Sequence, residues 1–165
     1  MTLNRFRNTI ADMERERAKY AYECVESIAS EYSHLKKNYK SYVRKLPALI
    51  KANGLAGAIA FVFSKKDNDK SKSDYAYKLI YEQSQSWLME KSSLGKLLFK
   101  NGYDQTVKNH VQPEANQVQD DKRFIENIIN LDIESYRLAT TELLALYKWM
   151  ARFAEGMLGG DEKDG

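Results

Sequence analysis

Few residues in this chain have the type and spacing that chemistry demands. Its two histidines, His34 and His110, stand far apart, and neither has a Cys, Asp or Glu at metal-ligand spacing. Each reads as a surface residue. Asp67-Asn68-Asp69 has the opening of a calcium loop but lacks the glycine and the closing glutamate, so it reads as a hydrophilic connection. Asp120-Asp121 suits the positive end of a helix dipole better than acid–base work. Cys24, the single cysteine, falls on an apolar stripe and reads as a small buried thiol. There is no Gly-rich phosphate loop ending in Lys-Ser/Thr and no serine nucleophile elbow. The residues predict no catalysis, no metal and no cofactor.

What remains is charge. Residues 36–72 hold ten basic residues and two acidic ones, a local charge of +8 in a chain whose total is +3, so the remainder carries −5. Such an asymmetry points to an anionic partner for that segment. Within it, Lys37, Lys40 and Arg44 recur at successive helical turns. A row of cations at this spacing follows a phosphate backbone by releasing counterions, without reading bases. Tyr39 and Tyr42 stand between them and have rings that stack on unpaired bases. Both share a face with Val43 and Leu46, however, which makes core packing their expected use.

The elements that must hold this row are helices. Apolar residues Ile10, Met13, Ala18, Ala21, Val25, Ile28, Tyr32 and Leu35 form one stripe of a long helix from about Arg5 to Lys36. Tyr39, Tyr42, Val43, Leu46, Leu49 and Ile50 form a face of the next. Pro47 predicts a break there, with a short new helix starting at it. Asn53-Gly54 predicts a helix stop with glycine as a left-handed cap. Leu55 to Ser64, apolar on every side, predicts a helix buried all round.

Lys65 to Asp74 reads as a flexible loop, with Ser73 or Asp74 capping a helix that carries Tyr77, Ile80, Tyr81, Ser84, Trp87 and Leu88 on one face. Gly95, Asn101-Gly102 and Pro113 interrupt the stretch from Ser92 to Gln119, which predicts short helices only. Asp120-Asp121 opens a helix through Phe124 and Ile128, and Asp132 caps a long, regular last helix. The tail, 159–165, reads as disordered. The sum is an all-α fold, one compact bundle of six or seven helices over 1–165, with long first and last helices.

Composition agrees. The hydrophobic fraction is 43% and the charged fraction 30%, ordinary for a folded soluble chain, and two prolines with eight glycines leave few turns. A lone cysteine fits a reducing compartment. The charged N-terminus has no signal-peptide pattern, and the longest apolar run, Leu55 to Phe63, falls short of the ~20 residues that span a bilayer. A cytoplasmic protein is expected.

Two blocks of this sequence resemble a known family. The first is Tyr39, Val43-Arg44-Lys45-Leu46-Pro47, Ile50, Asn53-Gly54-Leu55, Ala60-Phe61 and Ser64-Lys65. The second is Tyr136-Arg137-Leu138-Ala139-Thr140-Thr141-Glu142, Leu144-Ala145-Leu146, Trp149 and Arg152-Phe153-Ala154-Glu155-Gly156. In order and separation they resemble the small helical subunit of the type III-B CRISPR effector, the Cmr complex. Ser92 to Gln119 departs from the family pattern.

The resemblance implies a non-catalytic subunit stacked in several copies as a minor filament beside the backbone and large subunits. It also implies a basic channel for guide RNA (crRNA) and target RNA, with no membrane role. The candidate RNA-binding residues are Lys37, Lys40, Arg44, Lys45, Lys51, Lys65 and Lys66 in the basic segment, with Arg137, Lys148 and Arg152 in the second block. A second reading stays open: a helical protein–protein adaptor whose lysines serve solubility.

Overall fold

The computed structural model describes the backbone of residues 2–99 and 113–159, with side chains over 9–99 and 121–159. All regular structure among the described residues is helical. The order is α1 (Thr2–Glu31), a 3-10 turn (Ser33–Leu35), α2 (Lys36–Lys65), α3 (Tyr75–Gln85), a π-helical turn (Ser86–Lys91), α4 (Ser93–Leu98), α5 (Pro113–Ile129) and α6 (Ile133–Met157). The long first and last helices are as expected. His110 and the tail from residue 160 lie outside the described residues.

The predicted stripes meet in one core. Ala21, Val25 and Ile28 of α1, Tyr39, Val43, Leu46 and Ile50 of α2, and Leu143, Tyr147, Met150 and Ala154 of α6 are buried together. Helix α6 packs along both α1 and α2. Its first turn is capped as predicted, with Asp132 Oδ1 accepting from the Ser135 N–H at 2.9 Å. Buried polar groups are paired across the core: the Tyr39 hydroxyl donates to Gln83 Oε1 at 2.6 Å, and the Tyr20 hydroxyl donates to the Gln83 carbonyl at 2.7 Å. Gln83 thereby ties α1, α2 and α3 together.

Five expectations need correction. Helix α2 does not break at Pro47; its one non-helical residue is Gly54, at φ 76° and ψ 169°. Proline there withholds a single N–H, that due to the Val43 carbonyl, and the packing of Val43, Leu46 and Ile50 holds the helix through it. The predicted stop at Gly54 is real but is a sharp bend with extended ψ, not a left-handed cap. It folds the second half of α2 back, so that Tyr42 and Phe61 both meet Tyr77, at 3.9 and 5.9 Å between ring centroids.

The second half of α2 is not buried all round. Leu55, Ala58, Ile59 and Val62 are in the core, whereas Gly57, Ala60 and Phe61 face outward. Asp74 precedes α3 without a side-chain cap, because its carboxylate accepts from the Tyr42 hydroxyl at 3.1 Å. Helix α5 begins at Pro113, well before Asp120-Asp121. Proline suits a first helical turn, where its missing N–H has no partner to lose.

One span, Ser33–Lys65, is by length and composition apolar enough to cross a membrane. It is bent at Gly54, and one face of it, Tyr39, Val43, Leu46, Ile50, Leu55, Ile59 and Val62, is buried in a fold where α2 packs against α3 and α6. We read it as a core helix.

Candidate nucleic-acid interface

Because α2 continues through Pro47, its cations keep one register. Lys37, Arg44 and Lys51 are all exposed and follow at seven-residue steps. At about 100° per residue they lie within about 40° of one line, roughly 10 Å apart. Lys45 is exposed on the same helix, about 100° round from Arg44. On α6, Arg137, Lys148 and Arg152 are exposed, and the same geometry gathers them into one stripe.

Three contacts fix how these stripes meet. Lys40 Nζ lies 3.3 Å from Glu155 Oε2 and donates to the Gly159 carbonyl at 3.1 Å, while the Ala56 N–H donates to the Tyr136 hydroxyl at 2.9 Å. Helices α2 and α6 are therefore antiparallel, with Arg44 and Lys51 level with the middle of α6. Lys40 marks the α6 side of α2, and Lys37, Arg44 and Lys51 flank it on the solvent side. The two cation stripes border one seam. Two exposed carboxylates, Glu155 and Glu134, fall on the α6 stripe, and Lys40 offsets the charge of Glu155.

The structure separates the ten predicted residues. Lys40 is only 12% exposed at its side chain and is committed to Glu155 and the end of α6, where a cation also suits the helix dipole. Lys66 is likewise 12% exposed; it pairs with Asp121 at 2.5 Å and lies 4.8 Å from the Phe63 ring centroid. Both are packing cations. Lys65 is exposed beyond the Gly54 bend, over Phe61, and is apart from the row. Lys37, Arg44, Lys45, Lys51, Arg137, Lys148 and Arg152 remain solvent-facing.

The tyrosines of the basic segment are packed, as their shared face predicted. Tyr39 is fully buried, and Tyr42 stacks on Tyr77 at 9° between planes.

Among the described residues no group of three or more His, Cys, Asp or Glu is arranged to hold a metal ion. His34 Nε2 is 2.7 Å from the Lys70 carbonyl, and burial pushes the Cys24 thiol up to about 12.

Sequence reasoning missed a polar cluster. Glu142, buried on α6, accepts from Arg17 Nε and Nη2 at 2.8 and 2.9 Å and from the Trp87 indole N–H at 3.0 Å. The hydrogen bond to Glu142 raises the Arg17 guanidinium further above its ordinary value. Each oxygen of this carboxylate is satisfied, which is what permits a buried charge. The partners lie 125 and 55 residues away, so no local pattern announces them.

With this geometry in place, the family comparison is decisive. The chain matches the CRISPR-associated protein family Cas_Cmr5 over residues 13–157 of 165. It belongs to that family. Membership of Cas_Cmr5 makes it a CRISPR Cmr complex subunit and an associate of the other subunits of that complex. Both sequence blocks that carried the resemblance fall inside the match, and the Ala56–Tyr136 hydrogen bond joins one to the other.

Proposed function

We propose that this Cas_Cmr5 chain is a non-catalytic structural subunit of a cytoplasmic type III-B ribonucleoprotein. It contacts the guide RNA or target RNA backbone through the α2–α6 face and stacks with further copies of itself beside the backbone and large subunits. The observation that carries the RNA reading is the alignment of Lys37, Arg44 and Lys51 beside Arg137, Lys148 and Arg152 on a rigid helix pair. These side chains are exposed and present point charges and guanidinium forks to phosphate oxygens.

Exposed apolar residues favour the assembly role. Ile10, Ile129, Ile133 and Leu138 are each about half exposed or more, apolar surface that suits protein contacts. An adaptor without RNA contact would use these residues and leave the cations idle. Filter binding of single-stranded and duplex RNA at two salt concentrations separates the readings. The proposal expects binding that weakens steeply with salt and is indifferent to sequence; no binding at low salt, by the chain or its complex, supports the adaptor.

A further inference from the structure

The basic face ends at a group of aromatic rings at the edge of the core: Trp149 and Phe153 pack against it and stay partly open to solvent. Trp149 and Phe153 of α6 stack at 5.6 Å and 24°, and Tyr22 of α1 meets Phe153 edge-on at 5.6 Å and 88°. Tyr22 is 47% exposed and the other two are half-buried, so the group forms an outer shelf over the α1–α6 groove. Arg152 from the cation stripe lies 5.9 Å from the Trp149 ring, and Lys148 precedes Trp149 directly.

We infer that this shelf, Trp149 with Phe153 and Tyr22, receives an unpaired RNA base from a strand whose phosphates follow the α2–α6 face. The inference rests on the RNA-binding reading above and adds a base contact to it. The rings are already ordered by contact with one another, so stacking a base requires little rearrangement. Arg152 supplies a planar guanidinium that itself stacks on bases, and it joins the shelf to the cation row. Charge sets the direction. Lys148 and Arg152 lie on α6, whereas on α1 the exposed Glu23 and Glu26 outnumber Lys19 beside Tyr22, so the phosphates run over α6 and the base points toward α1. A protein side chain is the competing occupant; the cations flanking Trp149 favour the nucleic acid.

The test uses the full chain at low salt, with an oligouridylate and an abasic ribose-phosphate oligomer of equal length. Trp87 is buried against Glu142, so a change in tryptophan fluorescence on binding reports Trp149. The expected result is quenching by the base-bearing oligomer only, with about 5- to 150-fold tighter binding, the range that base stacking on an aromatic residue supplies. Trp149→Leu should abolish both the quenching and the preference; if that variant does not fold, the comparison on the unaltered chain decides. Equal binding of the two oligomers without quenching overturns the shelf and leaves the phosphate reading standing. Binding of neither overturns both. A folded Trp149→Leu chain that binds RNA normally but fails to join its complex overturns the shelf in favour of a protein contact.

Discussion

The Tyr136 hydroxyl of α6 accepts the backbone N–H of Ala56 at 2.9 Å, just past the bend of α2. After Gly54 the helix restarts, and its first N–H groups have no intrahelical acceptor. A phenol from another helix takes the place of the usual Ser, Thr or Asp cap. The same hydroxyl lies 3.3 Å from where a Cβ on Gly54 would be. One contact thus fixes both the bend and the antiparallel register that brings the two cation stripes to one seam.

Tyr136→Phe should lower stability by about 0.5–2 kcal/mol, the usual loss for a helix cap or buried hydrogen bond. Gly54→Ala should be worse, since its φ of 76° is strained for any residue with a Cβ. Urea unfolding of the two variants measures both. A Gly54→Ala chain as stable as the parent would mean that α2 does not bend there.

Removing one member of the Arg17–Glu142 pair should be severe. Glu142→Ala strands a guanidinium that is 16% exposed and leaves the Trp87 N–H without its acceptor. The expected loss is about 3–5 kcal/mol, whereas Arg17→Met with Glu142→Leu should recover much of it. Thermal unfolding of the singles and the double closes the cycle.

Leu143 and Phe61 should part company. Leu143→Ala removes a fully buried side chain and should cost about 2–5 kcal/mol. Phe61, 38% exposed with only its edge on Tyr77, should cost clearly less. Equal losses would contradict the outward turn of the second half of α2.

Asp132 gives a pH signature. The hydrogen bond from the Ser135 N–H lowers its carboxyl below the ordinary 3.8, so the cap stabilises the fold above that value and is lost as pH falls through the lowered one. The stability gap between the parent and Asp132→Ala should therefore be present at neutral pH and shrink below about 3.8. A gap independent of pH would assign the effect to something other than the ionised cap.

What the sequence disclosed and what it hid follow from distance along the chain. Helical stripes such as Ala21-Val25-Ile28 and Leu143-Tyr147-Met150 repeat locally, so periodicity finds them. Asp132 and Ser135 are three apart, and that cap was legible too. Pro47 misled because its local preference is weaker than the packing of its neighbours. Lys40 looked like a member of the cation row and Lys66 like a further RNA-binding candidate, but their partners, Glu155 and Asp121, lie on α6 and α5. The Arg17–Glu142–Trp87 cluster draws on three distant segments and has no local sign. Trp149, Arg152 and Phe153 stood out in the sequence only as part of the second family-like block; that they form one aromatic group with Tyr22 of α1 had no local sign.

The central claim is that exposed cations of the α2–α6 seam hold an RNA backbone. Replacing Lys37, Arg44 and Lys51 together by Ala, in the assembled complex, tests it most directly. Exposed charges contribute little to folding, so the melting temperature should stay put. RNA affinity should fall similarly for unrelated sequences. The plot of log affinity against log salt should flatten by roughly 0.7–0.9 per contact removed, about 2–3 for all three. An unchanged slope with unchanged affinity, in a variant that still assembles, would contradict the account.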